Sequence, residues 1–255
     1  METALSVIFG LIIGSFLNVV IHRLPRGENI VSPPSHCPLC RAEIPFYFNI
    51  PILSYILLWG KCRSCRGKIS PQYPLVEAFC AFGFWLSVHS YGLSMPAAAS
   101  AVFLCFLIAL AAIDIKHMIL PDELTLSAAA LFFIYSFFNP EVGQLDAVLS
   151  GLGGALFFAG LYYFYLKIRK IEGLGFGDVK MALFMGLFLG LHRLAVAIFL
   201  ASLFGLLVGI FIIVFKKKNL KLALPFGPFL SLGSFVSLFW GDAIMAWIGS
   251  FWRLS

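Results

Sequence analysis

The sequence predicts an all-α, polytopic membrane helix bundle of about eight transmembrane helices with a cysteine-bearing cytoplasmic loop. Three observations predict it. Hydrophobic residues make up 61% of the chain and charged residues only 12%, whereas a soluble domain carries about 25% charge. Mean hydropathy is +0.97. Apolar runs of bilayer-crossing length recur along the chain, and basic residues crowd into alternate loops. So little charge leaves the surface of a soluble fold unsolvated, so lipid is the solvent over much of the chain.

A helix needs roughly 20 apolar residues, with a range of about 17–25, to cross a bilayer. Runs of this kind lie near residues 2–22, 73–91, 97–115, 124–138, 147–166, 179–191, 194–215 and 222–240. The first is long and lacks a basic leader region and a cleavage site, so it is expected to anchor the chain rather than be removed. Gly10 and Gly14 form a small-xxx-small pair in it, the mark of a close helix contact. The fourth and sixth runs are short.

Charge sets the orientation. Sixteen of the eighteen Lys and Arg lie around 23–70, 116–123, 167–180 and 216–221, and only Arg193 and Arg253 lie on the other side. Positive loops stay cytoplasmic, so both termini face out and the span count is even. The net charge of +6 is thus an orientation signal. It is no nucleic-acid footprint, and no nucleic-acid partner is expected. Attraction to anionic lipid headgroups is compatible with it. The chain divides into a front part, 1–95, with one span, a long loop and a second span, and a back part, 96–255, with short connections.

The long loop, 23–72, is rich in Pro, Arg and Cys. It holds Cys37-Pro-Leu-Cys40 and Cys62-Arg-Ser-Cys65, with twenty-one residues between the pairs. Two CxxC turns each aim two thiolates at one point, which fits tetrahedral zinc. Arg41, Lys61, Arg63, Arg66 and Lys68 flank them, and positive charge favours thiolates. Two disulfides or four idle thiols are the competing readings, but disulfides are rare in the reducing cytosol. Four thiolates leave no open position, so the zinc is expected to be structural. Cys80 and Cys105 lie inside spans and read as small apolar residues.

An ionisable group at membrane depth is a functional candidate. Asp114, Asp178, Glu77 and Asp242 lie in or against apolar runs. Asp114 closes the run 97–113, and Asp178 ends Gly173-Leu-Gly-Phe-Gly-Asp178, both at the cytoplasmic side. Close carboxylates do not both ionise readily, so one keeps its proton. That yields one acid and one base, the requirement of aspartic peptidases. Gly175 and Gly177 leave room for a substrate strand. A short sixth span suits a helix that starts inside the membrane beside a wet cavity. A proton-coupled transporter would use such a pair equally well, and composition and periodicity do not separate the two.

The remaining polar residues read more simply. Gly173-x-Gly175-x-Gly177 is no phosphate loop, because no GxGxxG follows a strand. Asp122 is expected to cap the next helix. Glu77, near basic residues, is expected to form an ion pair. Asp242 lies near the outer face, away from the pair. The five His are scattered without HExxH, and there is no GxSxG, so neither a zinc peptidase nor a rhomboid-like serine peptidase is supported.

The motifs separate the alternatives. They run Gly14-Ser-Phe-Leu-Asn-Val-Val-Ile21, Arg23-Leu-Pro25, the two Cys pairs with Asn49-Ile-Pro51 and Leu53-Ser-Tyr55 between them, and Tyr73-Pro-Leu-Val-Glu77. Asp114 then stands ahead of Leu120-Pro-Asp122, followed by Gly175-Phe-Gly-Asp178-Val-Lys180 and Pro225-Phe-Gly-Pro-Phe-Leu230. Nearly end to end, the chain resembles the bacterial type IV prepilin peptidases, a family of GxGD-type intramembrane aspartyl peptidases.

The resemblance implies that Asp114 and Asp178 are the catalytic pair. It implies cleavage of the basic leader of prepilins and pseudopilins after a Gly, at the cytoplasmic face of the bacterial inner membrane. It also implies N-methylation of the exposed residue, usually Phe, with S-adenosylmethionine, an activity associated in the family with the tetracysteine front part. A peptidase whose zinc loop only positions substrate, and a proton-coupled transporter, are the alternatives. Glu77 is a candidate to take the proton from the new amine.

Overall fold

In lipid a backbone must satisfy its own hydrogen bonds, so apolar runs wind into helices. The computed structural model describes residues 2–169, 175–216 and 224–252. The helices are α1 (Glu2–Arg23), α2 (Leu53–Leu57), α3 (Gln72–Tyr91), α4 (Met95–His117), α5 (Asp122–Ser136), α6 (Gln144–Arg169), α7 (Phe176–Lys216) and α8 (Gly227–Trp252). Among the described residues extended pairing is limited to two isolated bridges, His36 with Glu43 and Lys61 with Lys68. Lys170, Gly173, Lys217, Lys218, Lys221 and Arg253, all used in the sequence reading, lie outside the described residues.

Among the described residues five stretches are long and apolar enough to cross a membrane: Glu2–Arg26, Met95–His117, Gln144–Ile168, Phe176–Phe215 and Gly227–Ser250. Their outer faces carry exposed apolar side chains, such as Phe9, Ile12 and Phe16 on α1 and Leu206 and Phe211 on α7. The chain is an all-helical, multi-pass membrane protein. Buried serines in the helices find partners locally: Ser87 of α3 donates to the Gly83 carbonyl and Ser234 of α8 to the Leu230 carbonyl, one helical turn back in each case.

The chain forms two compact units, Met1–Ala109 and Leu110–Ser255. In the first, α1 packs against α3. A Cβ added at Gly10 would lie 2.6 Å from Ala81 Cα, and one at Gly14 would lie 2.7 Å from Glu77 Cα. The two glycines therefore make the close helix contact that their spacing predicts. Asn18 completes the register by donating to the Tyr73 carbonyl at 3.0 Å. Positions 10, 14 and 18 thus face 81, 77 and 73, and the helices run antiparallel.

In the second unit α5, α6 and α8 all pack on α7. Phe132 of α5 lies 4.9 Å from Phe188 and 6.3 Å from Phe184 between ring centres. The sequence reading expects separate sixth and seventh spans. The structure shows one helical stretch interrupted at a single residue, Gly190, with φ 73° and ψ 175°. A Cβ on Gly154 of α6 would touch both Ala182, before the break, and Leu194, after it. The chain therefore turns back on itself at Gly190, and the two expected segments are its arms. Asp146 stabilises the turn by accepting the Leu191 N–H at 3.4 Å and the Ser150 hydroxyl at 3.0 Å.

Candidate active site and metal centre

Asp114 stands in the last turn of α4. The helix ends abruptly because Met118 adopts φ 53°, and its N–H returns to the Asp114 carbonyl at 2.9 Å. This tight exit brings Leu120 back towards the helix end. Asp114 Oδ2 accepts the Gly227 N–H at 2.9 Å. Gly227 is the first residue of α8, so Asp114 sits at the positive end of that helix, where a carboxylate is favoured. Pro228 in the first turn costs no hydrogen bond, because N–H groups there lack intrahelical partners.

Asp178 lies in the first turn of α7. Its N–H bonds the Gly175 carbonyl at 3.0 Å and starts the helix. Both carboxylates are thus held at helix N-termini, and both residues are only 5% exposed.

Leu120 ties the two halves of the site together. A Cβ on Gly177 would come within 2.7 Å of Leu120 Cβ, and one on Gly227 within 3.2 Å of Leu120 Cδ2. Glycine is therefore needed at both positions for close approach. The structure brings the two aspartates selected from sequence into one buried region of the second unit. It adds Gly227 and Leu120, to which the sequence reading attached no role. The signal for Gly227 was present in the Gly-Pro pair at a helix start.

Other acidic residues depart from the sequence reading. Pro121, not Asp122, occupies the N-cap of α5, and no side chain caps that end. Asp122 sits in the first turn and pairs with Lys180. Glu77 makes no ion pair among the described residues. Its Oε2 accepts the Ile52 N–H at 2.8 Å, and it also hydrogen-bonds Ser15. Ile52 adopts φ 59°, an uncommon backbone state for a β-branched residue, and the buried carboxylate holds it there. Asp242 does lie apart from the pair, bound to Arg193 at 2.5 Å, with Glu141 on the same guanidinium at 2.6 Å.

In the first unit the four loop cysteines converge. Their sulfurs all lie within 4.8 Å of one another, and Cys37 and Cys65 are 3.9 Å apart. All are free thiols. Four sulfurs about 2.3 Å from a central ion would stand about 3.8 Å apart, so the donor set fits a tetrahedral metal.

The two turns are near copies. Cys37 N–H bonds the Ala42 carbonyl and Cys62 N–H the Gly67 carbonyl, while Arg41 and Arg66 return their N–H groups to the Cys37 and Cys62 carbonyls. Arg41 and Arg66 both adopt left-handed φ, 58° and 59°. Leu39 of one turn packs on Gly67 of the other. Backbone N–H groups of Cys65 and Ser64 hold the Cys62 thiol down to about 6. The Gly67 N–H draws Cys65 down, but burial and its thiol neighbours push it up to about 11. Cys80 and Cys105 hydrogen-bond each other, apart from this cluster.

Comparison with known proteins places the chain in a family. The bacterial peptidase A24 N-terminal domain matches residues 8–91, and the type IV leader peptidase family matches residues 101–210. A protein of Aeromonas hydrophila named prepilin leader peptidase/N-methyltransferase is 34% identical, over 96% of this chain and 92% of that relative. One of the same name from Stutzerimonas stutzeri is 33% identical, over 98% and 94%. Another, from Pseudomonas aeruginosa, is 32% identical, over 94% and 90%. No solved structure matches the chain. With relatives of this identity covering nearly the whole sequence, the chain belongs to the type IV leader peptidase family.

Proposed function

We propose that this protein cleaves the basic leader from type IV prepilins and pseudopilins and then N-methylates the new N-terminal residue, usually Phe. Its relatives' shared name supports both activities. The observation that carries the cleavage reading is the buried pair Asp114 and Asp178, the first with its carboxylate on the N-terminus of α8 and the second in the first turn of α7. The peptidase part is 96–255, and 1–95 is the part associated with methyl transfer.

In cleavage, one carboxylate of the pair is ionised and takes a proton from water as the oxygen attacks the scissile carbonyl. The other is protonated and hydrogen-bonds the carbonyl oxygen. As the tetrahedral intermediate collapses, a proton passes to the leaving nitrogen. The products are a leader ending in a carboxylate and a pilin beginning with a free amine. An active site at the cytoplasmic edge of the inner membrane meets the junction of basic leader and apolar helix without drawing the leader through lipid.

S-adenosylmethionine would supply the methyl group. The amine must lose its proton before its nitrogen can attack, and Glu77, a buried carboxylate with no cationic partner among the described residues, is the candidate acceptor. Cys37, Cys40, Cys62 and Cys65 would hold zinc. With four thiolate ligands such an ion would keep no open position and would serve to fold the loop.

The test is incubation of the purified protein with a model prepilin, with and without S-adenosylmethionine, followed by mass measurement. Cleavage after Gly in both, with one added methyl only when the donor is present, is the expected result. Cleavage with no methylation in either would leave a peptidase alone. No cleavage at all would sink the reading.

A further inference from the structure

The loop between α1 and α3 holds a segment that is built inside out for water. In α2 the polar Ser54 is buried, while Leu53, Ile56 and Leu57 are exposed. Ile50 before the helix is exposed as well, and Trp59 after it is 87% exposed. Tyr55 packs inward over Gly60. The outward face of residues 50–59 is thus apolar, with an aromatic residue at its end.

One hydrogen bond ties the head of this segment to α3. Ile52 at the head of α2 donates to Glu77 at 2.8 Å. Glu77 faces Gly14, and Gly14 stands nine residues before Arg23 at the end of α1, or about 13 Å along the helix axis. The Glu77 side chain recovers only part of that depth. The bond therefore ties the head of α2 to α3 at a level below the end of α1. Non-helical backbone is tolerated at such depth only when its polar groups are satisfied, and the Ile52–Glu77 bond satisfies the one that the turn into α2 exposes. Lys61 and Arg63 follow directly and can reach anionic headgroups. Trp59 is the residue type enriched at the membrane interface.

We infer that residues 50–59 form an interfacial membrane anchor, with Leu53, Ile56, Leu57 and Trp59 inserted at the boundary of headgroups and acyl chains. The occupant of this apolar face is the lipid bilayer. The anchor holds the tetracysteine loop against the membrane surface.

Brominated acyl chains quench tryptophan that touches them, so the full-length protein can be reconstituted in nanodiscs of ordinary and of brominated phosphatidylcholine and phosphatidylglycerol. The spectrum of a Trp59→Phe variant is subtracted from that of the parent in each lipid. This conservative change is at an exposed position and leaves the other tryptophans as a constant background. The Trp59 component is expected to be blue-shifted and to fall about twofold or more in brominated lipid. A Trp59 component that emits as in water and is unaffected by bromine would overturn the inference. So would a component that becomes shielded only after a model prepilin is added, because the face would then be a substrate-docking surface.

Discussion

Replacing Gly227 by alanine would place a Cβ 2.7 Å from Asp114 Oδ2, 3.3 Å from its Cγ and 3.2 Å from Leu120 Cδ2. The backbone at 227 is fixed by the start of α8, so the carboxylate must give way. Moving it weakens the 2.9 Å hydrogen bond from the Gly227 N–H. A hydrogen bond to a charged group contributes about 1.5–3 kcal/mol, and each 1.4 kcal/mol or so is tenfold in rate, so kcat for leader cleavage should fall about 10- to 100-fold. Cleavage of a model prepilin under single-turnover conditions measures this directly. Gly153→Ala is the matched control, because nothing lies within 4 Å of a Cβ there, and it should cleave like the parent. A Gly227→Ala protein that folds normally and cleaves within about twofold of the parent, a loss of only about 0.4 kcal/mol, would refute the assignment of this contact to the active site.

Three further outcomes follow from the first unit. Metal analysis should find about one zinc per chain, and Cys40→Ser should remove it and lower methylation about tenfold or more while leader cleavage persists. Glu77→Gln keeps an oxygen to accept the Ile52 N–H but removes the base, so methylation should fall about 10²- to 10⁴-fold with cleavage unchanged; normal methylation would remove Glu77 from the reaction. Gly14→Val would drive a side chain into Glu77 Cα, 2.7 Å from the first added carbon, and should destabilise the α1–α3 pair by about 1–3 kcal/mol, read as a lower unfolding temperature in detergent.

Much of this was legible in the sequence because lipid imposes a simple code. Apolar runs located the helices, and the Gly10–Gly14 spacing located the α1–α3 contact, since close approach needs small residues. The tetracysteine cluster was equally legible, because each CxxC turn is a local structure whose two thiols must converge. Asp114 and Asp178 stood out because carboxylates at membrane depth need a reason to be there.

The missing parts depend on chain segments that meet only after folding. Nothing local to Gly227 says that its N–H will meet a carboxylate 113 residues earlier in the chain. Leu120 reads as one more apolar residue until two glycines are seen to close on it. Glu77 looked ready for an ion pair, but α2 reaches it first with the Ile52 N–H. The turn at Gly190 was read as a short loop, because hydropathy registers only the dip around His192 and Arg193 and not the backbone angle that reverses the chain.

The catalytic pair is the central claim, and single isosteric substitutions test it most directly. Asp114→Asn and Asp178→Asn each keep the side-chain shape but remove one partner of the acid–base exchange. Each purified variant, incubated with a model prepilin, should leave the substrate at full mass, a loss of about 10³-fold or more in cleavage, while still inserting in the membrane and holding zinc. Leader cleavage at the parent's rate by either variant would contradict the account.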